Sequence, residues 1–303
     1  MTQKIVPSLW FDNQAVEVAE YYVELFDNSR IVSSTRYPDV GQEIHGQVAG
    51  TTLTVTIELN GFNFILMNGG PAFQVNPSIS FILNFNAAHF DDPDAALHRY
   101  WDALTVDGET RMPLGDYGFS PKFGWVTDKF GVSWHLMLTD DAWAQRPFVV
   151  PEMMFGGEVS NQAREAIEFY TSVYEAASMG TLTEYPRAFA SVKAGSVAFV
   201  DFELAGTALA AMDSPVPNPV AFSEGVSLIV NCETQDEIDR YWNALSAVPE
   251  AEQCGWLKDR YGVSWQVVPE SLGIGFNDDD PATYRDNFKV LMGMGKIDMS
   301  KLR

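Results

Sequence analysis

The feature of this sequence that most constrains its fold is a segment of twelve residues that occurs twice. Gly124-Trp-Val-Thr-Asp-Lys-Phe-Gly-Val-Ser-Trp-His135 returns as Gly255-Trp-Leu-Lys-Asp-Arg-Tyr-Gly-Val-Ser-Trp-Gln266. The copies keep the same glycines and tryptophans, and their chemically significant difference is the last residue, His135 against Gln266. A repeat of this length indicates two copies of one structural unit, so we expect a fold assembled from paired units.

Further matches in the same order extend the duplication over nearly the whole chain. They include Val6-Pro7 with Val150-Pro151, Tyr37-Pro38 with Tyr185-Pro186, and Arg99-Tyr100-Trp101 with Arg240-Tyr241-Trp242. We therefore predict one module over residues 1–144 and a second over residues 145–303, the second with an additional C-terminal helix near Pro281 to Gly295.

The two copies differ in length at one place. The stretch from Trp101 to Gly124 is ten residues longer than the corresponding stretch from Trp242 to Gly255. The extra length lies within Gly108 to Pro121, a stretch rich in glycine and proline, as surface loops are. Two interpretations are open: a tolerated surface loop, or a lid over a binding site.

Composition excludes several classes of function. The net charge is −22, from 41 acidic and 19 basic residues, and such a surface repels nucleic-acid phosphates. No apolar stretch approaches the length that spans a bilayer, and the N-terminus lacks the pattern of a signal peptide. The two cysteines, Cys232 and Cys254, lack metal or redox spacing. We therefore expect a cytoplasmic protein that binds neither nucleic acid nor membrane.

Hydrophobic periodicity predicts an α+β module of order β-α-β-β-β-α-β-β. Asn60-Gly61 is a favoured two-residue hairpin turn, which places Glu58 opposite Asn63 on one face of the sheet. In the closing hairpin, the expected register places Gly124 opposite His135 and Trp125 opposite Trp134. Both tryptophans, with Trp256 and Trp265 in the second copy, are then expected to pack against helices. His135 shares the opposite face with Ser133 and Met137.

These residues resemble the vicinal-oxygen-chelate superfamily, which includes glyoxalases, bleomycin-resistance proteins and extradiol dioxygenases. The closer resemblance is to its PhnB-like branch, often labelled a 3-demethylubiquinone 3-methyltransferase domain. It rests on Pro7-Ser-Leu-Trp-Phe-Asp12, Met67-Asn-Gly-Gly-Pro71, Met112-Pro-Leu-Gly-Asp-Tyr117, both closing hairpins and Met294-Gly-Lys-Ile-Asp298. The resemblance implies tandem βαβββ modules whose curved mixed sheets, with helices outside, enclose a concave cavity for a small molecule.

In metal-using relatives, the resemblance implies a divalent ion held by four residues of the sheet. The corresponding positions here fall near Pro7 and Pro151, Met67 and Met212, Ser78 and Gly225, and on His135 and Gln266. Proline offers no ligand, and methionine does not suit a hard cation. We therefore expect no metal cofactor, although a remodelled site of His135 with Glu58 remains an alternative.

The methyltransferase label finds no support in the sequence. Binding of a methyl donor usually needs a glycine-rich loop between a strand and a helix. The Gly-x-Gly segment of this chain, Gly293-Met-Gly295, lies in the C-terminal tail without a strand before it.

Three functional hypotheses remain open at this point. The first is a metal-independent protein that binds a small, largely apolar or aromatic molecule. Its expected cavity-lining residues are Pro7, Met67, Ser78, Ser133, Met137, Glu203, Met212 and Gln266. The second is a lyase or isomerase that uses His135 as acid or base, with Glu58 orienting it. The alternative role of His135 is that of a cavity-lining histidine that only hydrogen-bonds a neighbour. The third hypothesis is that the pair of modules serves as a scaffold for protein interactions.

The duplication also bears on assembly. Single-module relatives pair as homodimers, and a tandem chain can satisfy this pairing within itself. We expect a monomer or a dimer of such chains, and the sequence does not decide between them.

Overall fold

The computed structural model describes residues 3–140, 143, 145–216, 221–273 and 280–302. The chain forms two compact units. Unit 1 comprises Met1–Glu24, Asn28–Gln74 and Phe222–Arg303, and unit 2 comprises Leu25–Asp27 and Val75–Ala221. Each unit therefore takes chain from both sequence repeats, and the limits of the units do not follow the repeat boundary at residue 144.

Fifteen strands and seven α-helices run along the described residues. The strands are β1 (Ile5–Phe11), β2 (Arg30–Arg36), β3 (Thr52–Leu59), β4 (Phe62–Asn68), β5 (Ile79–Phe85), β6 (Glu109–Gly115), β7 (Phe123–Thr127), β8 (Ser133–Leu138), β9 (Val149–Phe155), β10 (Ser178–Glu184), β11 (Val197–Leu204), β12 (Thr207–Asp213), β13 (Val226–Cys232), β14 (Trp256–Lys258) and β15 (Ser264–Pro269). The helices are α1 (Ala15–Leu25), α2 (Gln42–His45), α3 (Pro93–Leu104), α4 (Ala163–Val173), α5 (Gln235–Leu245), α6 (Glu270–Gly273) and α7 (Pro281–Leu291).

Each unit is built on one mixed sheet, and the two sheets have the same strand order. Unit 1 has seven strands in the order β14-β15-β13-β1-β4-β3-β2. Unit 2 has eight in the order β10-β11-β12-β9-β5-β8-β7-β6. Its seven strands other than β6 repeat the strand order of unit 1. In both sheets the two strands at the centre, β1 with β13 and β9 with β5, are antiparallel and come from different repeats. The predicted α+β class with mixed sheets is confirmed.

Three strands were not expected from the sequence, and all lie at sheet edges. β2 is an outer strand of unit 1, and β6 and β10 are the two outer strands of unit 2. Most of their side chains are exposed, so the apolar alternation that marks a buried strand is absent. β6 also contains Pro113, which an edge strand tolerates because one side of the strand needs no hydrogen-bond donors.

The Asn60-Gly61 hairpin has the expected register. Both turn residues have positive φ, 48° and 81°, as a tight hairpin turn requires. Glu58 lies opposite Asn63, and Thr54 lies opposite Met67.

The predicted register of the closing hairpin is wrong by one residue. Trp125 lies opposite His135, and Gly124 lies opposite Leu136. The cause is a longer turn: Thr127 pairs with Ser133, and the Asp128 carboxylate accepts hydrogen bonds from the backbone N–H groups inside the turn. A slip of one residue moves a side chain to the other face of a sheet, so Trp125 joins the face that carries His135.

The tryptophans consequently divide into two classes. Trp134 and Trp265 are fully buried in the core, and each donates its indole N–H to the turn aspartate of its own hairpin, at 2.9 Å and 2.8 Å. Trp125 and Trp256 instead line the cavities of units 2 and 1. The expectation of core packing is thus confirmed for one tryptophan of each hairpin and wrong for the other.

Candidate functional site

The sheet of unit 2 carries a cavity of about 710 Å³ on one face. Aromatic and methionine side chains dominate its wall, among them Phe123, Trp125, Met137, Trp143, Phe199 and Met212. A volume in this range and a wall of this kind are typical of sites for small organic molecules.

Strand register explains which side chains reach the cavity. In β8, residues two apart share a face, so His135 and Met137 both line it. β7 pairs with β8 and adds Trp125 opposite His135. On the central strand β9, Glu152 and Met154 are likewise two residues apart and line the same cavity.

The polar centre of the cavity is a contact between His135 and Glu152. His135 Nδ1 lies 2.7 Å from Glu152 Oε2, within ion-pair distance. The two residues are only 4% and 3% exposed. Neither His135 Nε2 nor Glu152 Oε2 has a partner that meets hydrogen-bond geometry among the described residues, although Nδ1 and Oε2 lie 2.7 Å apart.

Aromatic rings hold the imidazole in place. The His135 ring meets Trp125 edge to face at 5.1 Å and Phe123 at 5.6 Å between centroids. The indole N–H of Trp125 is fixed by a 2.8 Å hydrogen bond to Ser133 Oγ. The histidine therefore sits in an apolar cage in which Glu152 is its ionisable neighbour.

Such an arrangement is unfavourable without a further polar group. A buried polar atom without a partner costs about 1–3 kcal/mol, and a buried carboxylate costs more. A buried ionisable pair in a cleft is a candidate for a role in binding or catalysis, so His135 and Glu152 form the candidate polar centre of this site.

The insertion that distinguishes the first repeat forms the outer wall of this cavity. Met112 of β6 and Phe119 and Pro121 of the following turn all line it. The Phe119 ring meets the Phe123 ring at 5.1 Å, yet Phe119 is 66% exposed. Of the two interpretations of the insertion, the structure favours a wall over the site rather than a loop remote from it.

A second group of charges lies beside the aromatic wall. Arg146 forms an ion pair with Asp201, and its guanidinium lies 3.9 Å from the centroid of the Trp143 ring. The Asp201 carboxylate is also held by the backbone N–H of Thr181 at 2.6 Å. This cluster fixes the indole of Trp143 against the cavity.

The cavity of unit 1 occupies the same face of its own sheet but is much smaller, about 180 Å³. Gln266 of β15 stands where β8 carries His135, and it donates a 2.9 Å hydrogen bond to Ser227 Oγ. Ser8 of β1 stands where β9 carries Glu152: Ser8 lies opposite Ser227, as Glu152 lies opposite Ser80. Unit 1 therefore has no charge pair at this position.

Helix α7 closes the cavity of unit 1. Phe288, Leu291 and the following Met292 line the remaining space. The hydroxyl of Tyr284 donates a 2.6 Å hydrogen bond to the carbonyl of Arg36, and the Cys254 thiol contacts the carbonyl of Leu291 at 3.2 Å. Burial raises the pKa of this thiol to about 11, so Cys254 is a packing residue rather than a nucleophile.

The sequence-predicted site residues divide between the two units. Met137 and Met212 line the cavity of unit 2 with His135, whereas Met67 and Gln266 line that of unit 1. The other expected lining residues were wrong: Pro7, Ser78 and Ser133 are buried outside the cavity walls, and Glu203 is exposed.

The proposed partner of His135 also needs correction. Glu58 belongs to unit 1 and pairs with Arg30 at 3.0 Å, whereas His135 belongs to unit 2 and pairs with Glu152. The sequence contained a signal for Glu152, because it replaces Ser8 one residue after the matched prolines Pro7 and Pro151. A carboxylate inside an otherwise apolar strand is unusual enough to mark a site.

A divalent metal does not fit the residues at this site. The donors at the cavity floor are one imidazole and one carboxylate, and a catalytic metal normally needs about three protein ligands. Around them lie Ile82, Met137 and Met154, which suit no hard cation. No group of three or more His, Cys, Asp or Glu residues could hold an ion anywhere in the described part of the chain.

Comparison with protein families gives one matching model. It is described as 3-demethylubiquinone-9 3-methyltransferase and matches twice, over residues 3–137 and 147–268. A search of the curated proteins found no match. Among the described residues, no helix is long and apolar enough to cross a membrane.

Solved structures extend the comparison. A putative 3-demethylubiquinone-9 3-methyltransferase, the PhnB protein of Bacillus cereus, is 36% identical and covers 45% of this chain and 100% of its own, with a TM-score of 0.39. Glyoxalase I from Zea mays is 13% identical and covers 88% of this chain and 91% of its own, with a TM-score of 0.51. The second likeness confirms the predicted glyoxalase-like arrangement of tandem modules.

Proposed function

The chain belongs to the 3-demethylubiquinone-9 3-methyltransferase family, PhnB-like proteins of glyoxalase fold, and on that premise we propose that it binds a small, largely apolar or aromatic molecule in the cavity of unit 2, without a metal. The observation that carries the proposal is the cavity of about 710 Å³ with the His135–Glu152 pair at its floor. Cavities of this size enclose most of the surface of a drug-sized ligand.

The wall supports an aromatic ligand in particular. Trp125, Phe123 and Phe199 offer ring faces and edges, and Met137 and Met212 adapt to irregular shapes. The proposal does not extend to methyl transfer, because Gly293 and Gly295 follow helix α7 rather than a strand.

Binding is tested with a neutral apolar dye, N-phenyl-1-naphthylamine, followed by its fluorescence. We expect one site per chain and quenching of the protein's tryptophan emission, because Trp125 and Trp143 line the cavity. Metal analysis of the same protein is expected to find far less than one equivalent. Absence of saturable dye binding would contradict the proposal, and a stoichiometric metal lost in His135→Ala would contradict its metal-free form.

The two units supply a matched pair of variants. Met212 lines the cavity of unit 2, and Met67 occupies the same position in unit 1. Each lies on the strand that pairs in parallel with the central strand, β12 with β9 and β4 with β1. Met212→Trp should weaken dye binding at least about tenfold, or about 1.4 kcal/mol, by filling the cavity. Met67→Trp should leave dye binding unchanged, and equal effects of both variants would argue against unit 2 as the site.

A second candidate function, an acid–base enzyme, is favoured by the contact of His135 with Glu152. A histidine oriented by a buried carboxylate is a common arrangement for proton transfer. Exchange of carbon-bound hydrogen of acetophenone-type ketones with deuterated solvent tests it, with His135→Gln as the control. Exchange at the same rate with both proteins would remove this candidate.

A further inference from the structure

We infer that the ligand of unit 2 carries an ionisable hydroxyl on an aromatic ring, and that His135 with Glu152 holds this hydroxyl as its anion. The inference rests on the proposed binding function and names its ligand class. It starts from two buried polar atoms, His135 Nε2 and Glu152 Oε2, for which the described residues provide no hydrogen-bond partner.

The first step is the protonation of the imidazole. Nδ1 lies 2.7 Å from a carboxylate oxygen, and two lone pairs at this distance repel, so one proton lies between these atoms. With that proton on Nδ1 of a neutral imidazole and Glu152 ionised, Nε2 is a free acceptor. A carboxylate that holds one ring nitrogen in this way makes the other a better proton acceptor and stabilises the imidazolium that forms.

The second step is the proton transfer itself. The O–H bond of the ligand breaks and an N–H bond forms at His135 Nε2, with no change in oxidation state. The product is an aryl oxyanion that accepts a hydrogen bond from Nε2–H, beside an imidazolium whose charge is balanced by Glu152. In a site of low polarity such charge-assisted hydrogen bonds are stronger than neutral ones.

The tyrosine of the cavity wall does not compete for the proton. Asp140 and Tyr185 are the remaining titratable side chains of the wall among the described residues. Burial raises the pKa of Tyr185 to about 12, so it stays neutral, and its hydroxyl donates to the carbonyl of Asp213 at 3.3 Å.

Access to His135 requires movement of the wall, because Nε2 is buried. The side chains beside the pair on the same face are Met137, two residues along β8, and Met154, two residues along β9. Methionine is the most adaptable of the apolar side chains, so these two can admit a ring. The rest of the wall is aromatic and suits the flat faces of such a ligand.

The chain itself provides the substitutions for a test. His135→Gln introduces the residue type found at the equivalent position of unit 1, Gln266. Glu152→Ser likewise introduces the residue type of its equivalent, Ser8. Gln266→Ala changes the matching position of unit 1 and serves as the control.

The probes are 4-nitrophenol, whose phenolate absorbs visibly, and 4-nitroanisole, which has the same shape without the O–H. At a pH where free 4-nitrophenol is protonated, we expect the bound form to show the phenolate spectrum. His135→Gln should abolish this spectrum and weaken the binding of 4-nitrophenol at least about tenfold, while the binding of 4-nitroanisole changes little. Glu152→Ser should lower the phenolate fraction, which a merely structural role would not change, and Gln266→Ala should alter neither.

The outcomes separate the inference from the function on which it rests. Binding of both probes with 4-nitrophenol in its protonated form would overturn the inference and leave the proposed function intact. So would a phenolate spectrum that persists in His135→Gln. Failure of both probes to bind would overturn both proposals. The spectrum of the unmodified protein decides the question even if a variant does not fold.

Discussion

Units 1 and 2 have the same strand order and the same hairpin turns, yet the cavity of unit 2 is about 710 Å³ and that of unit 1 about 180 Å³. Three differences account for this. Unit 2 has His135 and Glu152 where unit 1 has Gln266 and Ser8, it has the additional strand β6, and unit 1 has helix α7 over its cavity. The residues that the two repeats share thus determine the sheet, whereas the positions and segments in which the repeats differ determine what the sheet can bind.

The largest expected effect concerns a residue that both units share. Trp134→Ala removes a fully buried indole that packs against Phe26 and Phe81, and with it the N–H that donates to Asp128 Oδ2. We expect a loss of about 4 kcal/mol in the free energy of unfolding, measured by urea denaturation. Trp265→Ala should lower the free energy of unfolding by about the same amount, because its indole N–H donates to Asp259 in the same way.

The control for this prediction is the other tryptophan of the hairpin. Trp125→Ala enlarges a cavity that already exists, so its cost should be clearly smaller, while dye binding should change. If Trp125→Ala destabilised the protein as much as Trp134→Ala, the division into a core tryptophan and a cavity tryptophan would be wrong.

The second prediction converts the site of unit 2 to that of unit 1. His135→Gln leaves Glu152 buried without its ion partner, and we expect a loss of about 3 kcal/mol in unfolding free energy. The double variant with Glu152→Ser should recover at least about 1 kcal/mol of this loss, because no unpaired charge remains. Urea unfolding of the two single variants and the double variant measures the coupling. Additive losses would show that the two side chains do not interact.

The third prediction concerns a variant that enlarges the cavity of unit 1. Phe288→Ala removes a ring of α7 that lines the cavity of unit 1, and we expect a loss of about 2 kcal/mol, less than for a fully enclosed phenylalanine. The enlarged space should admit a second dye molecule per chain, measured as binding stoichiometry. Lys289→Ala, an exposed change on the same helix, should alter neither quantity. Unchanged stoichiometry with Phe288→Ala would mean that α7 is not what closes unit 1.

Sequence reasoning succeeded where a local rule decides the structure. Asn60-Gly61 fixed its hairpin register, and the repeat led to the correct fold class. It failed at the closing hairpin, because the bonds of Asp128 inside the turn lengthen the loop by one residue. That slip hid Trp125 from the predicted cavity face.

The partner of His135 was missed for a different reason. β8 and β9 belong to different repeats, and β5 lies between them in the sheet. No sequence spacing reveals such a contact, because it depends on how strands from the two repeats are ordered. Pairing each repeat with itself led to Glu58, which lies in the other unit.

The smallest expected effect concerns the insertion, which unit 1 lacks. Phe119 is mostly exposed but lines the cavity, so Phe119→Ala should change the unfolding free energy by less than about 0.5 kcal/mol. Its ring covers part of a bound ligand, and its loss should weaken dye binding about threefold, or about 0.7 kcal/mol. Phe189→Ala, at another exposed phenylalanine of unit 2 outside the cavity wall, is the matched control for fluorescence titration. Equal affinities for both variants would reduce the insertion to a surface loop and leave the charge pair and α7 as the differences that separate the two units.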